Sequence, residues 1–438
     1  MLNVVGLTPS LLPHAPRISA YAKATGGAAA LTPVFPAVTC SVQASMTTGL
    51  TPEDHGVVGN GWYDLETCEV RFWQRSDRLV AGEKIWETAK SLDPSFTCAN
   101  LFWWHNTYSA CDVVVQARPI YKADGRKIPD CYTHPPELRP ALQNKLGRFP
   151  LFRFWGPLAD ITSSAWIADA AVAVSEQHHP TLSLVYLPHL DYGLQKLGPD
   201  HPDIPGHVAD IDAVVGRLLD HYDKQGVRVL ILSEYGVEPT QKQGAAIAVN
   251  RHLRDAGLLA VREEDGRELL DPGACRAFAV ADHQAAHVYH APEVELPPIP
   301  GATRVELPHP RAGDTVLVAD PGRWFCYDHW LDPSKAPDFA RTVDIHRKPG
   351  YDPRELFSSA GPAAVAYKLL RKKLGLRQLM DVVPLDNDLV RGTHGRVDNP
   401  PDLQPLLIGC GESSAPRHCT AVGEAVLEAL GLGEEAQW

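Results

Sequence analysis

No Cys-x-x-Cys pair occurs in this chain of 438 residues, and its nine cysteines are scattered and odd in number, so they cannot all pair with one another. A disulfide framework is not the basis of the fold, and the cysteines read as reduced, small core residues. Long apolar runs are missing too: nothing approaches the roughly 20 residues that a bilayer span needs. Met1 to Gly6 enters an apolar run without the basic region, long apolar stretch or small-residue cleavage site of a secretory leader. These absences lead us to expect a cytoplasmic protein with no membrane partner. Positive charge is in deficit, with 41 Lys and Arg against 53 Asp and Glu and a net charge of -12. Such a balance offers no basic face to polymeric nucleic acid, although a local basic pocket can still bind one phosphate. Internal repeats and low-complexity tracts are also lacking. What is left, 44% hydrophobic and 21% charged, is ordinary for a globular chain with a sizeable core.

The length exceeds the usual single domain, yet large α/β enzymes reach it by insertion into one sheet. Short β-rich apolar runs at 2–7, 97–102, 113–116, 182–187 and 227–232 alternate with stretches such as 164–177 and 208–222, whose apolar residues recur at helical spacing. This alternation predicts an α/β fold with a mainly parallel central sheet and helices on both faces. From about 291 to 344 the chain turns rich in proline, aromatics and short β runs. Trp324, Phe325, Tyr327 and Trp330 need something to pack against, so this stretch reads as an inserted smaller lobe. The expected organisation is a catalytic core over 1–290, a β-rich lobe over 291–344, and a C-terminal part over 345–438 that completes the core.

In parallel sheets, ligands bind beyond the carboxyl ends of the strands, and polar motifs fall there. Leu182–Leu187 is followed by Pro188-His189-Leu190-Asp191, and Val229–Leu232 by Ser233-Glu234-Tyr235-Gly236. Early in the chain, Pro36-Ala37-Val38-Thr39-Cys40-Ser41 places a hydroxyl at a turn, and Thr48-Gly49-Leu50-Thr51-Pro52-Glu53-Asp54-His55-Gly56 follows. Near the other end stands Gly392-Thr393-His394-Gly395. Thr39 has two compatible readings, a nucleophile or the cap of a helix that starts near Ser41, and its neighbour Cys40 is a rival nucleophile.

Taken together these segments resemble the nucleotide pyrophosphatase/phosphodiesterase branch of the alkaline phosphatase superfamily. In that branch the threonine of a Pro-x-x-Thr turn attacks phosphorus, and a late Thr-His-Gly supplies a metal ligand. The resemblance implies an alkaline phosphatase-like fold, Thr39 as nucleophile, and metal held by Asp191, Glu234 and His394. Two zinc ions serve the family, one activating the attacking oxygen and one stabilising the leaving side. This chain departs from the pattern in four places. Val5-Gly6 stands for the family's Asp-Gly, Gln195 for a histidine, Tyr235 for the histidine of Ser-Asp-His-Gly, and Val42 for a phosphoryl-contacting asparagine. Asn60 and Asn106 are candidate substitutes for the last.

The ligand set implied by the resemblance is thus lopsided. One site keeps Asp191 and His394, with Gln195 able to offer an amide oxygen. The other keeps Glu234 and Thr39 beside a tyrosine that ligates poorly until deprotonated, near pH 10 for a free phenol. A single ion is therefore expected rather than two, either Zn²⁺ or, with more oxygen ligation, Mn²⁺ or Mg²⁺. Asp282 and His283 belong to the densest histidine cluster, 282–290, and are either relocated ligands or satisfied core groups; were 282–289 one strand, they would point to opposite faces. Arg347 or Lys348 could meet a phosphate, and Trp103 or Trp104 could wall an organic group. As a neutral phenol, Tyr235 could assist the leaving oxygen.

The expected function is metal-dependent hydrolysis of a small phosphorylated molecule, a phosphodiester, phosphomonoester or phosphonate, through a phosphoryl-threonine. The alternatives are a binding module that lost catalysis and a phosphoryl transferase. For the site the sequence offers Thr39 and Tyr235 as catalytic residues, Asp191, Gln195, Glu234, His394, Asp282 and His283 for metal, and Asn60, Trp104 and Asn106 for substrate.

Overall fold

A computed structural model describes residues 1–411 and 415–433. Eight strands form the central sheet: β1 (Leu2–Val4), β2 (Ala28–Ala30), β3 (Cys98–Leu101), β4 (Val113–Ala117), β5 (Cys131–His134), β6 (Leu182–Leu187), β7 (Ile231–Leu232) and a last strand, Leu406–Ile408. β7, β1, β6, β3 and β4 run parallel in that spatial order, and the antiparallel pairings fall at the edges. The expected mainly parallel sheet is therefore present, with its interior strands almost continuously apolar and buried, as strands covered on both faces must be.

Helices flank the sheet in two packed groups. One comprises α1 (Pro16–Ala24), a long helix over Ile161–His178 and another over Ile204–Lys224; the other comprises α2 (Thr39–Thr48), α3 (Ile85–Leu92) and the C-terminal helix Val422–Ala429. In chain order the two long helices are α4 and α6, separated by α5 (His189–Leu197). α4 begins where Asp160 accepts a hydrogen bond from the Thr162 amide at 3.0 Å, the usual role of an aspartate at a helix start. Its buried face is mostly alanine and serine, which lets α6 approach closely. α2 is unusual in being buried over all ten residues while six of them are polar. Its hydroxyls are mostly satisfied internally: Thr47 bonds to the Gln43 carbonyl at 2.9 Å, Thr48 to the Ala44 carbonyl at 2.7 Å, and Ser45 to His55 at 2.9 Å.

A second, antiparallel sheet contains β8 (Ala277–Asp282), β9 (Ala285–His290), β10 (Ala302–Val305) and β11 (Thr315–Ala319), which makes Leu406–Ile408 β12. Asp282 and His290 thus lie on two strands joined by a tight hairpin, not on one strand over 282–289. The break falls at His283, whose φ of 57° is left-handed. The aromatic residues Trp324, Phe325, Tyr327 and Trp330 are fully buried around this sheet. All nine cysteines are free. No helix of the described residues is long and apolar enough to cross a membrane.

Candidate active site

Four chain-distant segments meet beyond the carboxyl ends of β1, β6 and β7. The first is the N-terminus of α2. Thr39 does not cap that helix, which starts from Val38 without a side-chain cap; its hydroxyl instead shares a 3.2 Å hydrogen bond with the Tyr235 hydroxyl. The second segment is the first turn of α5, which brings Asp191 out of β6 and sets Gln195 one turn later on the same face. The loop after β7 supplies Glu234 and Tyr235. His394 follows the short strand Gly392–Thr393, which pairs with Glu238–Pro239.

His394 ties these pieces together through its backbone and ring. Gly395 accepts a hydrogen bond from the Ala37 amide at 2.9 Å, the His394 ring donates from Nδ1 to the Ala37 carbonyl at 2.8 Å, and the Gln284 amide donates to the His394 carbonyl at 3.1 Å. The turn carrying Thr39 and the hairpin carrying His283 are thereby fixed on either side of one imidazole. Gly395 has a φ of 130°, and a Cβ there would lie 3.0 Å from Gln284, so only glycine fits this junction.

Four rings stack into a column. Tyr235 lies 3.6 Å from His394 at an interplanar angle of 5°, His394 lies 3.8 Å from His283, and His283 lies 3.6 Å from Tyr351. Tyr351 closes a loop of hydrogen bonds by donating to Gln195 Oε1 at 2.8 Å, while Gln195 Nε2 donates to Asp191 Oδ2 at 2.8 Å. Both ends of the Gln195 amide are therefore engaged: the side expected to face a metal accepts from Tyr351, and the NH₂ orients Asp191.

The same holds for Asp282. One of its oxygens accepts from the Asn60 amide at 2.6 Å, the other from Asn60 Nδ2 at 3.1 Å and from His283 Nδ1 at 2.9 Å. This carboxylate holds other groups in place rather than standing free as a ligand. Asn60 in turn accepts from the Cys40 amide at 3.0 Å, which puts it beside Thr39. Asn106 lies elsewhere: its amide bonds to Asn100 Oδ1 at 2.9 Å and to Gln116 at 3.1 Å inside the sheet, so it cannot reach the site. Trp103 is buried, whereas Trp104 stands on the cleft wall against Trp73, ring centroids 5.0 Å apart. Lys348 is buried in ion pairs with Asp352 at 2.8 Å and Glu355 at 2.7 Å and is unavailable to a phosphate. Arg347 lines the cleft but pairs with Asp344 at 2.6 Å.

Burial sets the charge states. Asp191 is pushed up to about 7 and Glu234 to about 8, in both cases chiefly by desolvation. Desolvation also raises Asp282 to about 6, holds His283 and His394 well below the ordinary imidazole value, and lifts Tyr235 far above that of a free phenol. The Cys40 thiol is likewise driven well up, which removes it as a thiolate nucleophile at neutral pH. Glu234 Oε1 accepts from Asn3 Nδ2 at 2.5 Å and also from Gln43, whose own oxygen accepts from the Trp104 amide at 2.7 Å. Asn3, Gln43 and Tyr351 were not singled out by the sequence, since a buttressing amide or phenol leaves no spacing signature.

Four buried atoms at this spot have no partner: Asp191 Oδ1, Glu234 Oε2, His283 Nε2 and His394 Nε2. An unsatisfied buried polar group costs about 1–3 kcal/mol, so four together mark a place shaped for something that binds. The two imidazoles share a telling feature. Each has its Nδ1 fixed, on a backbone carbonyl or on a carboxylate, which leaves a bare Nε2 lone pair, the arrangement that orients metal-ligating histidines. Asp191 Oδ1 and His394 Nε2 are 3.9 Å apart, close enough for one cation to touch both. Among the described residues, however, no group of three or more His, Cys, Asp or Glu side chains is arranged to hold a metal ion. The donors fit one cation completed by other oxygens, and they do not fit a pair, since Val5 and Tyr235 leave the Glu234 side without further ligands.

The site lies at the floor of a cleft of about 1680 Å³ walled by Trp73, Trp104, Trp155, Tyr186 and Tyr192. The sequence matches the family model of type I phosphodiesterase / nucleotide pyrophosphatase over residues 1–352. A protein of the fission yeast Schizosaccharomyces pombe, named an uncharacterized pyrophosphatase/phosphodiesterase, is 26% identical over 226 residues; the match covers 48% of this chain and 38% of that protein. Two structures of murine ectonucleotide pyrophosphatase/phosphodiesterase 5 share the fold across 98% of this chain and 94% of theirs at 14% identity. The inactive variant in complex with AMP superposes with a TM-score of 0.57, the other structure with 0.56.

Proposed function

The chain belongs to the type I phosphodiesterase / nucleotide pyrophosphatase family, and on that premise we propose that it is a hydrolase of small-molecule phosphodiesters in which Thr39 attacks phosphorus. The observation that carries this reading is the placement of Thr39 at a buried helix N-terminus, lining the same cleft as Asp191, whose Oδ1 lies 3.9 Å from His394 Nε2. Asp191 and His394 would hold one divalent cation, Zn²⁺ or Mn²⁺ or Mg²⁺, with His283 as the nearest further donor. When bound, that ion supplies Lewis-acid polarisation of the phosphoryl group and of the attacking oxygen.

The chain's own residues do the rest. The Thr39 Oγ–phosphorus bond forms as the bond to the leaving alkoxide breaks, and the threonine proton passes to Glu234. Burial raises this carboxylate into the range useful to a base near neutral pH, and its Oε2 has no partner in the structure. Tyr235, kept neutral, holds the Thr39 hydroxyl in line and can donate to an oxygen of the phosphoryl group, where a second ion would otherwise stand. The leaving alkoxide takes a proton from water, leaving hydroxide; a second water then cleaves the phosphoryl-threonine, the threonine oxygen recovers its proton from Glu234, and the proton released by that water neutralises the hydroxide. Trp73 and Trp104 offer a flat apolar wall to the organic group of the substrate, as a base or another planar group would use.

Turnover of bis-p-nitrophenyl phosphate and p-nitrophenyl phosphate by the purified chain, with and without added Mn²⁺ or Zn²⁺, tests the reading. We expect diester cleavage that depends on metal and disappears in Thr39→Ala. Equal inertness of wild type and Thr39→Ala under every metal would favour a binding module, to which the altered positions Val5 and Tyr235 point. Product appearing on an added alcohol in preference to water would favour a transferase.

A further inference from the structure

The outer rim of the cleft is built differently from its floor. A helix over Pro362–Lys373, α7 in chain order, has no buried residue. One of its faces, with Val365, Leu369 and Lys372, lines the cleft. The opposite face presents Tyr367, Leu370 and Leu374 at helical spacing, and these are 59%, 55% and 68% exposed. Of the thirteen large apolar side chains exposed among the described residues, six fall between 367 and 379, and three more, Tyr121, Phe152 and Leu158, line the cleft. Apolar exposure on this molecule is thus concentrated at one mouth, which single scattered leucines would not require explaining but a patch does.

Charge separates the same region from the rest. The chain carries a net -12, yet the stretch 362–380 holds five cations, Lys368, Arg371, Lys372, Lys373 and Arg377, and no acid. Lys368 pairs with Asp381 at 2.5 Å. Among the described residues the other four have no carboxylate within ion-pair distance. Acids do occur on the cleft lining: Asp191 at the site itself, and Asp124 and Asp344, which are taken by Arg126 and Arg347. Three of these four cations, Lys372, Lys373 and Arg377, line the mouth of the cleft, and Arg371 lies outside that lining, beside the outer stripe. A rim that combines exposed leucines with unneutralised cations matches an anionic lipid surface, where the leucines enter the headgroup boundary and the cations meet phosphates.

We propose that α7 and the segment following it dock this protein onto an anionic membrane surface, with the mouth of the cleft turned toward the lipid. The absence of a spanning helix does not bear on this, because an interfacial helix lies in the headgroup plane. A second copy of the chain is the competing occupant; the local excess of positive charge disfavours it, since a self-complementary contact through this patch would set like charges together.

Co-sedimentation of the full chain with phosphatidylserine-rich vesicles and with pure phosphatidylcholine vesicles tests the proposal without reference to any activity. We expect binding to the anionic vesicles only, weakened by salt, and reduced on the order of tenfold or more in Lys372→Glu/Lys373→Glu and in Leu370→Glu/Leu374→Glu. Leu65→Glu, an exposed position off this rim, serves as the control and keeps wild-type binding; unchanged thermal melting of all variants shows that the fold is intact. Absence of binding to anionic vesicles, equal binding by the variants, or sedimentation equilibrium showing a dimer that the leucine variants convert to monomer would overturn it.

Discussion

The two sides of the cleft floor use their chemistry-bearing positions differently. On one side Asp191, His394 and His283 each have one atom pinned by a neighbour and one atom bare, which is how a ligand is prepared. On the other, Glu234 also keeps a bare Oε2 beside an Oε1 anchored by two amides, but its neighbour Tyr235 spends its hydroxyl on Thr39 and offers no lone-pair nitrogen. Under the proposed function, the first side would hold the cation and the second would hold the nucleophile. One substitution explains much of the contrast. A tyrosine in place of an imidazole brings a phenol that burial keeps neutral, so a charge-accepting position becomes a hydrogen-bonding one.

The largest expected effect comes from removing the group that both sides serve. Thr39→Ala should cut diester turnover by on the order of 10³-fold or more, with metal content retained, as steady-state rates and elemental analysis of the same sample would show. Next, Asp191→Asn and His394→Ala should each lose bound metal and about 10²-fold or more in turnover, whereas Glu234→Gln should lose turnover and keep metal. Metal loss in Glu234→Gln would erase the distinction drawn between the two sides. A smaller effect is expected from Tyr235→Phe, about 10-fold in kcat with little change in KM, because it removes one hydrogen bond to Thr39 without disturbing the ring column. Least of all, Cys40→Ser should change turnover less than about threefold, and thiol alkylation should leave the enzyme active, since the buried thiol is held protonated.

Much of this arrangement could be read in the residues. Thr39, Asp191, Glu234 and His394 each follow an apolar run or a short turn, and the strand-end rule for parallel sheets places such positions together. The parallel order itself followed from alternating β and helical runs, because the interior strands are buried on both faces and therefore continuously apolar. What was not legible depended on partners far away in the chain. Gln195 occupies a ligand's position, and nothing in the sequence shows that Tyr351, 156 residues later, donates a hydrogen bond to its oxygen. Asn106 looked as suitable as Asn60, and only the hydrogen bonds to Asn100 and Gln116 show that it belongs to the sheet. The sequence leaves open whether 282–289 forms one strand; the left-handed backbone of His283 at a two-residue turn, a conformation costing about 1–2 kcal/mol for a residue with a Cβ, breaks it and turns the ring into the column.

The account stands or falls with a covalent bond at one side chain. Rapid acid quench of the chain during bis-p-nitrophenyl phosphate turnover, followed by peptide mass mapping, reads that bond directly. The expected result is a phosphoryl adduct on the peptide bearing Thr39, absent from Thr39→Ala and accumulating when release is slowed. Turnover that persists in Thr39→Ala, or an adduct mapped to a different residue such as Cys40, would contradict it.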